Sequence, residues 1–572
     1  MVFNSLGFLV FFPIVLIIYY IVPKGFQNFW LLLSSYWFYM SWNPRYGLLL
    51  LIFTIFTYIC GLVLGKDSGA AREVSEESGG TETYTGSGSG AIINQGKPDH
   101  GTTRFHGVIE ESGTSMAARA NPGEIGVTEV GHGMKGVNSK RKRILAFSLF
   151  VVFGLLAFFK YTNFLLDNVS GLLARLSVNL SVDHLSIVMP VGISFFLFQS
   201  AGYLIDVYRK EIPAEKNFIN YALFVSFFPS ILSGPIGRAP ALLPQYLKPR
   251  SFDCDSVSEG FLLMLWGFFL KLVIADRAAI LVNNVYAGYH NIYGSAIVAA
   301  TVIYGIEIYC DFCGYSTIAT GAAKMLGVRL MDNFNCPYFS VSVQDFWRRW
   351  HISLSSWFRD YLYFPLGGSR CNIFRRCFNI MVVFIVSGLW HGSQWSYIVW
   401  GALNGIYQII GSLLLPIRIK VLGLFGFDKD VLDPKKNPAF IDFKMTLLKL
   451  IRILITFCLI DFAWLFFRAA GLRDAVMMLQ QIRCNFGASQ FSLQYLYSLG
   501  LDMKNFRLLI FATVILFIGD FVKYRGASVG MWVLQRPMIL RELIIALFIL
   551  FILIFGIWGN AYNASSFIYF QY

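Results

Sequence analysis

The sequence predicts an all-α protein, a polytopic transmembrane helical bundle of about eleven to thirteen spans in which some segments are re-entrant or amphipathic. Three observations carry that expectation. Of the 572 residues, 56% are hydrophobic and only 14% charged, whereas soluble domains carry roughly a quarter charged residues. The apolar runs have the length a bilayer requires, about 20 residues for a hydrocarbon core of roughly 30 Å. These runs recur along most of the chain, and several are interrupted by Gly and Pro, as in broken or re-entrant helices.

The clearest runs lie near 4–22, 45–64, 144–160, 186–205, 259–275, 379–415, 446–467, 507–522 and 542–559. The first has neither a basic start nor a small-residue cleavage site, so it reads as a retained span rather than a removed signal. Between the second and third runs, about Lys66 to Ser139, the chain turns rich in Gly, Ser, Thr and Glu, and Tyr84 and Phe105 are the only aromatics. Such a segment cannot bury enough to order itself and reads as a flexible loop. Its histidines, His100, His106 and His132, are widely spaced and read as solvated. The loop closes on Lys140, Arg141, Lys142 and Arg143, a basic block expected on the cytoplasmic face. The chain therefore divides into N-terminal transmembrane helices over 1–65, a cytoplasmic Gly/Ser/Glu-rich insertion over 66–143 and a membrane core over 144–572. A second polar stretch, about Arg418 to Lys444, contains Asp-Pro and Asn-Pro signals and reads as an extramembrane connection.

The formal net charge of +14 reads as loop Lys and Arg held on the cytoplasmic side, not as a nucleic-acid surface. Nine scattered cysteines give no disulfide framework. Cys310 and Cys313 form a C-x-x-C within an apolar helical stretch without a second pair, so no metal site is expected.

The region from Asn333 to about Gly405 is the most informative. Its first part runs from Asp345 through Phe-Trp-Arg-Arg-Trp to His351, then Ile-Ser-Leu-Ser-Ser-Trp-Phe-Arg to Asp360. On a continuous helix Arg348, His351, Ser355 and Arg359 would share one face, with Phe346, Trp350, Leu354 and Trp357 on another. A membrane-surface helix with a solvated histidine is the plain alternative. The second part, Ser387-Gly-Leu-Trp-His391-Gly, lies in a stretch from Cys377 to Ile417 without Lys, Arg, Asp or Glu. Ionisable groups in a membrane interior are expensive and functional by default. An apolar setting favours the neutral imidazole, the form that accepts a proton. Gly388 and Gly392 would let a ligand or another helix approach closely. The plain alternative is a histidine hydrogen-bonded across helices for packing alone.

With histidines forty residues apart in W-R-R-W-H-I-S-L-S and G-L-W-H-G, the chain resembles the membrane-bound O-acyltransferase family, and specifically its bacterial branch of alginate O-acetyltransferases. Supporting stretches include Pro190–Phe195, Leu204–Arg209, Phe227–Ile236, Val273–Arg277, Tyr309–Phe312, Asn333–Tyr338 and the terminal Phe567–Tyr572, so the resemblance covers nearly all of the chain outside the loop. Glu307, Cys313, Thr317 and Asn404 depart from the family pattern, where Gln, Ser, Asp and His are usual.

The resemblance implies a multi-pass cell-membrane enzyme that moves an acetyl group from a cytoplasmic thioester donor, acetyl-CoA, toward hydroxyls of an exported cell-surface polysaccharide. Transfer is direct or through an extracytoplasmic partner of the SGNH-hydrolase type. His391 and His351 are the implied catalytic pair, with His391 as base. Arg348, Arg349, Arg370, Arg375 and Arg376 are candidates to meet the donor's phosphates, a task that suits forked guanidinium donors, although ordinary cytoplasmic loop charge is the favoured reading of them. Acetyl-CoA enters as a substrate, with no bound cofactor or metal expected, and lipid surrounds the protein. Competing readings are D-alanyl or other acyl transfer to teichoic acid, lipid or protein, and, from another class, a non-catalytic membrane channel or carrier.

Overall fold

A computed structural model describes residues 1–66, 135–177, 184–424, 443–488 and 492–558. The loop histidines His100, His106 and His132, the turn signals within 425–442 and the terminal Phe567–Tyr572 lie outside the described residues. The chain separates into two compact units, Met1–Gly65 with Arg143–Tyr572, and Lys66–Lys142. All that follows concerns the first.

Among the described residues the regular structure is helical throughout. The helices that build the site are α1 (Lys135–Arg175), α2 (Ile193–Arg209), α3 (Gly294–Met325), α4 (Val343–Arg349), α5 (Ile352–Phe358), α6 (Ile373–His391), α7 (Trp395–Leu413), α8 (Leu415–Leu424) and α9 (Phe443–Arg468). Eight helices among the described residues are long and apolar enough to cross a membrane, or nine if α7 and α8, bent by 52°, form one broken span. That is fewer than the eleven to thirteen expected. Two of the apolar runs make only short helices: Leu6–Ile21 has 16 residues, about 24 Å at 1.5 Å per residue, and the run beginning at Phe218 stops at Ile231. The polar connection expected from Arg418 starts later, because Arg418 to Leu424 continue α8.

Glycine sets the closest helix contacts. A Cβ on Gly260 would lie 2.6 Å from the Gly321 carbonyl oxygen, and one on Gly267 would lie 2.6 Å from that of Gly314. Glycines seven residues apart on each helix thus let Cys254–Phe268 and α3 meet backbone to backbone, the small-residue packing favoured in membranes. One π-helical turn, Phe269–Ala275, then carries the buried Lys271. Its ammonium lies 2.7 Å from Asp276 and 2.6 Å from Asp311 of α3, tying the same two segments together by charge. Sequence spacing suggests Asp276 as a partner of Arg277, but Arg277 instead donates to Asn505 and to the carbonyls of Val273 and Phe555.

The α6–α7 hairpin is equally close. A side chain on Gly388 would collide with the Tyr397 carbonyl, one on Gly401 with that of Phe384, and one on Gly392 with the Tyr397 ring. The glycines beside His391 therefore admit the neighbouring helix, one of the two options left open by the sequence.

Candidate active site

The expected amphipathic helix through His351 does not form as one piece. α4 ends at Arg349, Trp350 is extended, and His351 takes up a left-handed conformation at φ 43°, ψ 54° before α5 begins. Histidine is enriched among the few non-glycine residues that adopt positive φ, yet the conformation costs on the order of 1–3 kcal/mol and persists only where surroundings enforce it. Here the enforcing segment is Asn333–Asn335. The Asn333 carbonyl accepts from Ile352 N–H at 2.9 Å and the Arg349 carbonyl accepts from Asn335 N–H at 3.0 Å, so the segment grips both sides of the break. The Asn333 side chain accepts from the Ser353 hydroxyl at 2.6 Å and donates to Ser316 of α3 at 3.0 Å.

The break turns the imidazole inward. His351 is 1% exposed, which excludes the solvated surface histidine. Its ring meets Phe312 of α3 edge-on at 4.6 Å between centroids, Phe195 of α2 at 6.5 Å and Trp390 of α6 at 5.9 Å. His351 lies outside the spanning helices, and burial among these rings pushes its pKa down to about 3, so the imidazole is neutral at physiological pH.

His391 ends α6 and is 5% exposed. Its ring sits 4.9 Å from Trp390, 5.1 Å from Trp400 of α7 and 5.2 Å from Phe467 of α9. Trp390 therefore forms a wall common to both histidines, which the structure brings into one aromatic chamber. Asn404 supports that chamber: it accepts from the Trp347 indole at 3.1 Å and donates to the Trp400 carbonyl at 2.9 Å.

A cavity of about 590 Å³ opens near the chamber, lined by Asp206, Arg209, Arg238, Asp360, Tyr361 and Phe364 among others. The Tyr361 hydroxyl donates to Asp206 at 2.7 Å, and the Arg238 guanidinium lies 4.6 Å from the Tyr361 ring centre. Successive ring contacts run from Tyr361 to Trp357 at 4.9 Å, to Phe198 at 4.2 Å and to Trp390 at 5.7 Å. An aromatic row thus joins the cavity to the histidines. Asp206 and Arg209 do not form the pair that their spacing suggests, since Arg209 reaches Glu211 at 3.7 Å.

None of the five arginines singled out in sequence lines this cavity. Arg349 is held by Asp345 at 3.1 Å and Arg376 by Ser412, while Arg348, Arg370 and Arg375 are exposed. The cations at the cavity are Arg209, which the sequence offers only as a partner of Asp206, and Arg238, which lies more than a hundred residues from the histidine motifs and draws no attention there. Each already faces a carboxylate, Arg238 meeting Asp360 at 3.0 Å. Phe195 and Phe312 lie in stretches that carry the resemblance and Trp400 follows the second motif, but that these rings and Phe467 wall the histidines is not written in any local pattern.

Comparison with known proteins identifies the family. Residues 207–419 match the model of the membrane-bound O-acyltransferase family, a stretch that contains both histidines. The chain is 32% identical over 494 residues, 86% of its length and 76% of the relative's, to a Pseudomonas aeruginosa protein named "Probable alginate O-acetylase". It is 32% identical over 372 residues to the peptidoglycan O-acetyltransferase of Helicobacter pylori, covering 60% of this chain and 65% of that one. It is 29% identical over 243 residues to the teichoic acid D-alanyltransferase of Streptococcus thermophilus, covering 40% and 58%. The chain is a multi-pass membrane O-acyltransferase that belongs to the membrane-bound O-acyltransferase family, in its alginate O-acetylase-like branch.

Proposed function

We propose that this O-acyltransferase moves an acetyl group from acetyl-CoA on the cytoplasmic side to hydroxyls of an exported polysaccharide, directly or through an extracytoplasmic SGNH-hydrolase-like partner. The observation that carries the reading is the enclosure of His351 and His391 against the single ring of Trp390. Acetyl transfer to glycans is what the names of the alginate and peptidoglycan relatives describe.

In the proposed reaction the acceptor oxygen attacks the thioester carbonyl carbon while His391 takes the hydroxyl proton. The C–S bond then breaks, the acetyl ester remains on the acceptor, and the proton passes to the departing thiolate. His351, neutral and rigidly held, orients the attacking hydroxyl or polarises the carbonyl as charge develops on its oxygen. The cavity beside Tyr361 is the candidate docking place for the donor. Exposed Arg348, Arg370 and Arg375 remain candidates to meet donor phosphates, because the cavity's own arginines face carboxylates. Arg349 and Arg376 are already engaged and serve the fold.

The test is acetyl-ester content of the exported glycan at matched membrane levels of protein. His391→Ala and His351→Ala are each expected to lower it by about 10²–10⁴-fold, the usual contribution of general acid–base groups. Near-normal acetylation in His391→Ala would remove the proposed mechanism, and near-normal acetylation in His351→Ala alone would reduce that residue to a minor positioning role. The D-alanyl reading is supported by a match over only 40% of the chain, and D-alanine in place of acetate on the product would establish it.

A further inference from the structure

Among the described residues, Lys160 lies beside His391 and the reaction above gives it no task. We propose that Lys160, with Tyr161 beside it, is a positioning residue for His391, fixing the last turn of α6 and with it the angle of the imidazole. The inference rests on His391 being the base.

A helix leaves its last four carbonyls without intrahelical donors. In α6 these belong to Gly388, Leu389, Trp390 and His391, and each is met. Gly392 N–H donates back to the Gly388 carbonyl at 3.3 Å. The Tyr161 hydroxyl donates to the Leu389 carbonyl. The Lys160 ammonium donates to the Trp390 carbonyl and, at 2.9 Å, to that of His391. Three of the four donations thus come from two adjacent residues of α1, about 230 positions away in the chain.

The choice of a lysine is physically specific. Trp390 and His391 are buried, so a carbonyl there that loses its partner stays unsatisfied. A positive charge is favoured at a helix C-terminus, where the backbone dipoles present their negative end. The same ammonium lies 5.9 Å from the centre of the Trp390 ring, the wall common to both histidines. Without these donors α6 unwinds from its end, and the first residue released is His391. A displacement of about 1 Å in a reacting group is enough for a loss of roughly 10²-fold in rate.

Lys160→Met keeps the apolar stem and removes the donor, while Lys160→Arg keeps both charge and donors. With purified protein in lipid nanodiscs, acetyl-CoA as donor and the exported glycan as acceptor, thiol release gives kcat and KM. Lys160→Met is expected to lower kcat by about 10²-fold and to leave the KM for acetyl-CoA within about twofold, the pattern of a lost transition-state interaction. Lys160→Arg should restore most of the rate, and Tyr161→Phe should show a smaller loss in the same parameter. Adding Lys160→Met to His391→Ala should cause no further loss, since the two act as one unit. A normal kcat in Lys160→Met, a change confined to KM, or a Lys160→Arg variant as impaired as Lys160→Met would overturn the proposal. If Lys160→Met fails to insert, a normal kcat in Tyr161→Phe overturns it instead. His391→Ala measured alongside separates the two readings: full activity there removes the base assignment and this proposal with it, whereas an inactive His391→Ala beside a normal Lys160→Met sinks only the positioning role.

Discussion

His351 sits on one left-handed residue between two helices of seven residues each, whereas His391 closes a regular helix of nineteen. The first is placed by backbone strain that Asn333 enforces from a neighbouring segment. The second is placed by helix geometry, with its terminal carbonyls met from α1. Two imidazoles that share the Trp390 wall therefore depend on different supports, one a gripped backbone turn and the other a helix end. The comparison teaches that one chamber can combine a rigid, strained group with one set at the end of a regular element, the two remaining linked through the ring they share.

The sharpest break of this comparison is the double variant His351→Ala/His391→Ala. If both groups serve one centre, glycan acetylation in the double variant should be scarcely below that of the weaker single variant, because residues that act as a unit are not additive. Losses that multiply would mean two separate tasks. A step smaller is Asn333→Ala, which strips the Ser353 and Ser316 hydrogen bonds from a buried site. It should lower stability by about 1–3 kcal/mol, read as thermal unfolding in detergent. It should also lower acetylation by about tenfold, as the left-handed turn relaxes. Unchanged activity would show that His351 does not need its strained placement.

On the other side of the comparison, Gly388→Ala would drive a methyl group into the Tyr397 carbonyl and part α6 from α7. An overpacking loss of roughly 1–3 kcal/mol is expected, with a lower unfolding temperature and a smaller fall in acetylation than Asn333→Ala. The least effect belongs to His184 and His290. His184 pairs with Asp167 at 2.6 Å on an exposed surface, and the His290 ring lies tilted against Tyr289 with centroids 3.9 Å apart. Replacing either by Ala should leave acetylation within about twofold, as for surface changes generally. A large loss would add a third histidine to the mechanism.

The helical membrane class was legible because hydrophobic run length is a local property, written in consecutive residues. The two histidine motifs were legible for a related reason: a charge-free stretch around His391 and a dense Trp/Arg/Ser string around His351 stand out in any window. The break at His351 was not. Its helical periodicity continues unbroken through Arg348, Ser355 and Arg359, and what interrupts it is a tertiary grip by Asn333, invisible to a local pattern. The span number fell for a different reason, since apolar runs such as Phe218–Ile231 are interrupted and short. The arginines near the motifs drew attention by proximity in sequence, yet the cavity takes its cations from Arg209 and Arg238, which folding alone brings beside Asp360 and Tyr361.

The left-handed turn at His351 sets backbone ease against ring packing at a single residue. At φ 43° a glycine would sit without strain, yet it would empty the space that the imidazole fills against Phe312, Phe195 and Trp390. Emptying a packed interior site costs about 2–5 kcal/mol, more than the strain relieved, so the neighbouring rings themselves favour a large side chain at this turn.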